Sequence, residues 1–376
     1  MRIAISTIAD SAKAGSWQVI KNTILELKLF DRKNEYIIFV EKTYKDDFGD
    51  LPSNFIIKRV AITARQPILN IVWHGFILPF LLVLSKVNVL YLPWHSAAFI
   101  IKTKPTVVNI LDLREYRFSN SYDKLRMLYR KTLLPISSRL SDKIITISEH
   151  AKKDIIRYLN AEEAKIEVIY CAPNKRYQLL DKVICGEYLK NKFSIFGDFI
   201  LFVGQIRDPN KNIMAIINAF NKIRQKVHKK YKLVLVGKID SSCRPILKVV
   251  EDLGLERDIV FTGYVDDEDL PYFYNAATIF LFPSLAEGFG IPVVEAMACG
   301  CPVLTSLNSA MSEIAKDAAV LVNPNCVDDI ADNAISVLSD SVKRQTMAKN
   351  GVEQIKEFCW KRSAEQTLNV LLDVSR

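Results

Sequence analysis

The sequence predicts an α/β protein built from two doubly wound, Rossmann-like units in tandem. Short apolar runs alternate with helical stretches, the signature of parallel sheets covered on both faces. That alternation restarts near residue 198, after a stretch with no clear period. The 376 residues also exceed one hydrophobic core and suffice for two domains of about 150–200 residues. A content of 49% apolar and 25% charged residues, with 13 Gly and 14 Pro, excludes disordered, collagen-like and low-complexity chains.

In the first half a strand is expected over 2–8, a helix over 18–27 and a strand over 35–40, followed by apolar runs at 87–92, 106–111 and 143–147. The longest apolar stretch, 68–84 (ILNIVWHGFILPFLLVL), contains Asn70, His74 and Pro79 and runs at once into a strand-like segment. It therefore reads as a buried helix and not as one that crosses a bilayer. The second half repeats the pattern with strands at 198–203, 231–236, 259–261, 279–282, 302–305 and 319–321, and a helix through 213–227. Residues 171–192 begin with a Pro-Asn turn signal and carry no period, so the interdomain connection is placed there. The expected domains are 1–175 and 176–358, with 359–376 returning as a helix to the first, and a cleft between the two.

Seven cysteines, at 171, 185, 243, 299, 301, 326 and 359, are scattered and form none of the Cys or Cys–His clusters that zinc requires. They read as reduced thiols. The N-terminal segment lacks the apolar core and cleavage site of a secretory signal, so a cytosolic location is expected.

The net charge of +9 is uneven: residues 1–190 carry 30 Lys and Arg against 19 Asp and Glu, and residues 191–376 carry 21 against 23. The first half is expected to meet an anionic partner: nucleic acid, a phosphate-bearing substrate or an acidic membrane. Residues 122–140 combine Lys124, Arg126, Arg130 and Lys131 with Leu125, Met127, Leu128, Leu133 and Leu134, as a basic amphipathic surface on anionic lipid would. No nucleic-acid recognition module is present.

Neither half carries G-x-G-x-x-G after its first strand or a G-x-x-x-x-G-K-[ST] loop. The chemistry is concentrated instead in 281–305, LFPSLAEGFGIPVVEAMACGCPVLT. Pro292 suits a first helical position and Gly300 the residue past the end, which gives a short helix with a glycine-rich entrance. Glu287 lies in the loop before that helix and Glu295 one turn inside it, while Gly288 and Gly290 allow a ligand close to the backbone. Amides at such a helix start receive phosphate.

The stretch EGFGIPVVE (287–295), with its tail AMACGCPVLTS, resembles the E-x7-E motif of the retaining glycosyltransferases of family 4, which have the GT-B fold. The likeness continues in order through 199–213, 233–238, 260–277, 312–324 and 358–367, and more thinly through 141–155 and 165–177. By this resemblance Glu287 holds hydroxyls of a donor sugar, Glu295 holds the ribose of its nucleotide, and amides of Gly288, Phe289, Gly290 and Ile291 meet phosphate or sugar oxygens. Lys211, in the loop after Gly204, neutralises the diphosphate, with Arg207 as a second cation. Tyr264 and Val265, after Gly263, resemble the base-facing loop, and Gly15 joins the donor-binding set.

Two departures accompany the resemblance. The family's second basic residue is replaced by Gln205 or Asn210, and its His-Asp pair after a central strand is Leu111-Asp112 here. Asp112 is kept as a catalytic residue facing the acceptor, with His95 a weaker acceptor-side candidate; His74, His150 and His228 read as structural. The acidic run 266–269 reads as the N-terminal charge pattern of a helix opening at Leu270 and not as a metal site. The implied enzyme is a retaining hexosyltransferase that needs no metal and no cofactor. It moves sugar from a nucleotide-sugar to a glycan or lipid-linked acceptor, in bacterial surface polysaccharide synthesis, with peripheral contact to an anionic membrane. A sugar-nucleotide epimerase and a catalytically silent relative are the alternatives.

Overall fold

The structure, a computed structural model, describes residues 1–8, 15–44, 46–62, 67–94, 99–118, 124–206 and 209–376. The chain divides into two compact units, Met1–Cys171 with Cys359–Arg376, and Ala172–Phe358.

The first unit runs β1 (Arg2–Ser6), α1 (Gly15–Phe30), β2 (Glu35–Glu41), β3 (Phe55–Val60), α2 (Pro67–Val72), α3 (Leu78–Leu84), β4 (Val89–Leu92), β5 (Thr106–Asn109), α4 (Arg114–Arg117), α5 (Lys124–Leu140), β6 (Lys143–Thr146), α6 (Glu149–Leu159) and β7 (Ile166–Val168). These strands form a sheet in the order β3-β2-β1-β4-β5-β6-β7, and every pair is parallel. The central strands β1, β4 and β5 are buried almost throughout, which is why they read as apolar runs. β3 escapes the sequence reading because it is an edge strand whose Ile56, Lys58 and Arg59 look outward.

The stretch 68–84 is helical but not buried all round. A five-residue π turn, Trp73–Ile77, joins α2 to α3. One face, with Trp73, Leu78 and Leu82, enters the core, while Phe76, Phe80, Val83 and Leu84 are exposed. Alternation cannot show this, because both faces are apolar. In α5, Arg130 turns inward to pair with buried Glu115, so that the basic surface expected over 122–140 is narrower than its sequence implies.

The second unit runs α7 (Lys182–Phe193), β8 (Phe199–Val203), α8 (Ile213–Lys226), β9 (Lys232–Val236), α9 (Arg244–Asp252), β10 (Ile259–Gly263), α10 (Leu270–Ala276), β11 (Ile279–Phe282), α11 (Ile291–Ala298), β12 (Val303–Ser306), α12 (Ala310–Ala315), β13 (Ala319–Val322), α13 (Val327–Ser339) and α14 (Ser341–Ile355). Its sheet is again parallel, in the order β10-β9-β8-β11-β12-β13. The aperiodic linker expected over 171–192 is in part helix α7, capped by the Asp181 carboxylate on the amides of Val183 and Ile184. Only Cys185 and Leu189 of α7 are buried, too few to draw an apolar stripe.

The closing helix α15 (Trp360–Val374) packs on the first unit. Its Ala364, Leu368 and Leu371 share a core with Trp17, Ile20 and Ile24 of α1, and the Ser363 hydroxyl donates to the Tyr170 carbonyl at 2.6 Å. All seven cysteines are free thiols. Among the described residues, no helix is long and apolar enough to cross a membrane.

Candidate active site

In the second unit the strand order reverses between β8 and β11, and in doubly wound sheets ligands sit outside the carboxyl ends of the strands at such a point. Gly204 follows β8, and the loop 283–290 follows β11. Three adjacent strand ends carry glycine: Gly204, Gly237 and Gly263. A Cβ on Gly237 would lie 1.8 Å from the Gly204 carbonyl oxygen, so the close approach of these strand ends requires glycine at 237. Gly204 donates to the Val236 carbonyl and Gly237 to the Gly263 carbonyl, which ties the three ends together.

The loop after β8 is fastened to the loop after β11. Asn212, in the left-handed region at φ 58°, donates through its side-chain amide to the carbonyls of Pro283 and Pro324, and the Leu285 amide donates to the Asn210 carbonyl. This fastening delivers Lys211 to Glu287, with Nζ donating to Oε1 at 2.5 Å. Both side chains are largely buried, and the ammonium also lies 4.9 Å from the centroid of the Phe282 ring, a cation–π contact. Phe282 stacks in turn on Phe202, so Lys211 stands on a rigid aromatic floor.

Four residues beyond Glu287 the chain enters α11. Gly290, its N-cap, holds φ 93°, and a Cβ there would come within 2.8 Å of Met311 Cγ. Glycine at 290 is therefore required twice over, by conformation and by space. Pro292 opens the helix where an amide would have no intrahelical partner. Phe289 is buried edge-on against Phe358, and Ile291 is half-buried.

One turn on, Glu295 lies among Tyr177, Tyr274 and Cys299 with one side reaching solvent. The Tyr274 hydroxyl donates to its Oε2 at 2.9 Å, and Tyr177 also hydrogen-bonds it. Desolvation pushes the Glu295 carboxyl up to about 8, although both tyrosines and Arg176 act to lower it. The same surroundings raise the Tyr274 hydroxyl. After β10, Tyr264 is exposed and Val265 is buried.

The structure thus brings together Gly204, Lys211, Glu287, Gly288, Phe289, Gly290, Ile291 and Glu295 around the first turns of one helix, while Tyr264 and Val265 follow β10, two strands from β8. Asp112 and Gly15 belong to the other unit. Asp112 follows β5 and is ion-paired with Arg114 at 3.1 Å, and Gly15 opens α1. Arg207 and His95 lie outside the described residues. His74 and His150 both have structural partners: Ser6 and Asn70 for the first, Arg117 for the second. The sequence reading passed over Tyr177, Tyr274, Asn212 and Phe282; only the spacing of Tyr274 and Glu295 across one strand and two helices, visible in three dimensions, pairs them. The described residues contain no group of three His, Cys, Asp or Glu side chains able to hold a metal ion.

Residues 191–354, which include Lys211, Glu287 and Glu295, match the family profile "Glycosyl transferases group 1". Over 278 residues, 73% of each chain, the protein is 30% identical to O-antigen chain mannosyltransferase B of Escherichia coli. The chain belongs to the group 1 glycosyl transferases. Among solved structures, this transferase is similar to sucrose-phosphate synthase of Thermosynechococcus elongatus, with a TM-score of 0.79 and 19% identity over 99% of its own chain and 98% of the other. It is also similar to Anabaena Alr3699/HepE, solved in complex with UDP-glucose, with a TM-score of 0.76 and 16% identity over 99% and 100% of the two chains. The fold of the transferase is therefore GT-B, two Rossmann-like units with the family profile on the second.

Proposed function

We propose that the transferase is a retaining family 4 enzyme that moves a mannosyl residue from a nucleoside-diphosphate donor to a hydroxyl of a growing bacterial surface polysaccharide. The observation that carries this reading is the Lys211–Glu287 pair at the head of α11. The largely buried ammonium and carboxylate satisfy each other, and a nucleotide-sugar offers each a better-matched partner. Its diphosphate takes Lys211 and the amides of Gly290 and Ile291, and vicinal sugar hydroxyls donate to Glu287. Glu295 accepts from the ribose hydroxyls, and the 263–265 loop faces the base, with Tyr264 at its rim.

As the acceptor oxygen bonds to the anomeric carbon on the face that the diphosphate leaves, the bond to the diphosphate breaks, its electron pair leaves on phosphate, and the acceptor's hydroxyl proton passes to the departing phosphate oxygen. Lys211 and the dipole of α11 stabilise that charge, so turnover proceeds without a metal. Asp112, held by Arg114, serves the acceptor side. Mannose and the polysaccharide acceptor follow the name of the Escherichia coli relative, and the nucleotide follows the complex of the Anabaena protein.

The test is product analysis. Purified transferase with EDTA, a panel of nucleoside-diphosphate sugars and short mannan acceptors should yield an elongated glycan only with a mannosyl donor. The new linkage should keep the donor's anomeric configuration by NMR. A product of inverted configuration refutes retention; donor isomerised without acceptor indicates an epimerase.

A further inference from the structure

The helical segment from the π turn through α3 presents a face that the fold does not use. Phe76 is 55% exposed, Phe80 65%, Val83 56% and Leu84 63%, at the helical spacing i, i+4, i+7, i+8 that aligns them on one side. Ile77 adds to the same side. The opposite side, through Trp73, Leu78 and Leu82, is locked into the core of the first unit, so the segment lies along the protein and cannot leave it to cross a bilayer. Large apolar side chains clustered in water mark an interaction surface.

The surroundings choose the partner. From Leu51 to Leu111 the sequence contains no Asp or Glu, while it contains Lys58, Arg59, Arg65, Lys86, Lys102 and Lys104. Lys86 is exposed directly after α3. The segment ending in Lys104 adjoins α3, with the Thr103 hydroxyl donating to the Pro79 carbonyl and Ile101 exposed beside it. Lys102 is paired with Asp142, and Lys86 and Lys104 remain as cations at the edges of the strip. An apolar strip flanked by such lysines matches an anionic bilayer interface, where rings enter the acyl boundary and lysines meet lipid phosphates. A second copy of the chain would set the same cationic rim against itself.

We propose that this face, Phe76, Ile77, Phe80, Val83 and Leu84 with Lys86 and Lys104, is where the protein lies on an anionic membrane, in place of the basic stretch 122–140 that the sequence suggests. The proposal needs no sugar chemistry, so it stands or falls separately from the assignment of transfer.

The full chain is sedimented with vesicles of phosphatidylglycerol and phosphatidylethanolamine, and with phosphatidylcholine vesicles, at low and high salt. The native protein should bind the anionic vesicles and release as salt rises. F76S/F80S should bind at least about tenfold more weakly, with an unchanged unfolding midpoint because both rings are exposed. K86E/K104E should lose the anionic preference. Native protein that stays in the supernatant with anionic vesicles at low salt overturns the proposal, as does F76S/F80S sedimenting like the native chain. Light scattering that shows a dimer made monomeric by F76S/F80S, without vesicle binding, assigns the face to a second copy and overturns it equally.

Discussion

At the scale of single residues, the Lys211–Glu287 pair makes the sharpest statement. Each side chain is largely buried, so removing one partner leaves the other charged and poorly solvated. Lys211→Ala and Glu287→Ala should each lower stability by about 2–3 kcal/mol, and the double variant should lose less than their sum. Chemical denaturation of the three variants checks this. Function should divide differently. Glu287→Gln keeps the volume and an acceptor oxygen for Lys211 but not the charge, and should reduce kcat by about 100-fold or more while leaving nucleotide affinity near the native value, because in the proposed complex the only part of the donor it meets is the sugar. Lys211→Ala should weaken nucleoside-diphosphate binding itself. Glu295→Gln retains an acceptor for Tyr274 and should fold normally, yet bind nucleosides about tenfold more weakly, as calorimetry would show.

At the scale of elements, the entrance to α11 and the buried end of β1 each yield a prediction. Gly290→Ala imposes a left-handed conformation and a contact with Met311, so it should cost about 1–3 kcal/mol and displace the loop that carries Glu287. Loss of activity together with a lowered unfolding midpoint would be the sign. His74, beside Trp73 at the π turn, is fully buried: its Nε2 meets the Ser6 hydroxyl and its Nδ1 the Asn70 side chain. Burial lowers its pKa to about 4, so the folded protein keeps the imidazole neutral while the unfolded chain takes a proton below about 6.5. Stability is therefore full above pH about 6.5 and falls by about 3 kcal/mol as the pH drops towards 4. Urea midpoints at pH 7, 5.5 and 4.5 should show this slope in the native chain and lose it in His74→Gln.

These elements also show what could be read in advance. The buried strands β1, β4, β8 and β11 were legible because parallel strands covered on both faces are written in unbroken apolar letters. Edge strand β3 and helix α7 were not, since each buries too little to leave a pattern. Pro292 and Gly290 marked the entrance of α11 from spacing, which the structure shows, while the roles given to the two glutamates of 287–295 came from the family resemblance. The partners that shape the site, Tyr274 on Glu295 and Asn212 across two loops, are distant in sequence and carry no local signal.

For the whole molecule, the sequence's restart near residue 198 corresponds to two sheets of like winding, and the chain ends by returning α15 to the first unit. The Lys211, Glu287 and Glu295 cluster lies in the second unit, where charge is nearly balanced, while the basic excess and the apolar face of α3 lie in the first. Under the two proposals above, nucleotide chemistry falls to one unit and surface attachment to the other. The attachment should vanish with salt while donor affinity, set by largely buried groups, changes less.

The central assignment is the donor site, and calorimetric titration with UDP, GDP and ADP in EDTA tests it most directly, on native protein and on Lys211→Ala. One nucleotide should bind at a single site in the absence of metal, and the variant should bind it at least about tenfold more weakly, since a charge-assisted contact to diphosphate is lost. Binding that requires a divalent cation, or binding unchanged by Lys211→Ala, would contradict the site described above.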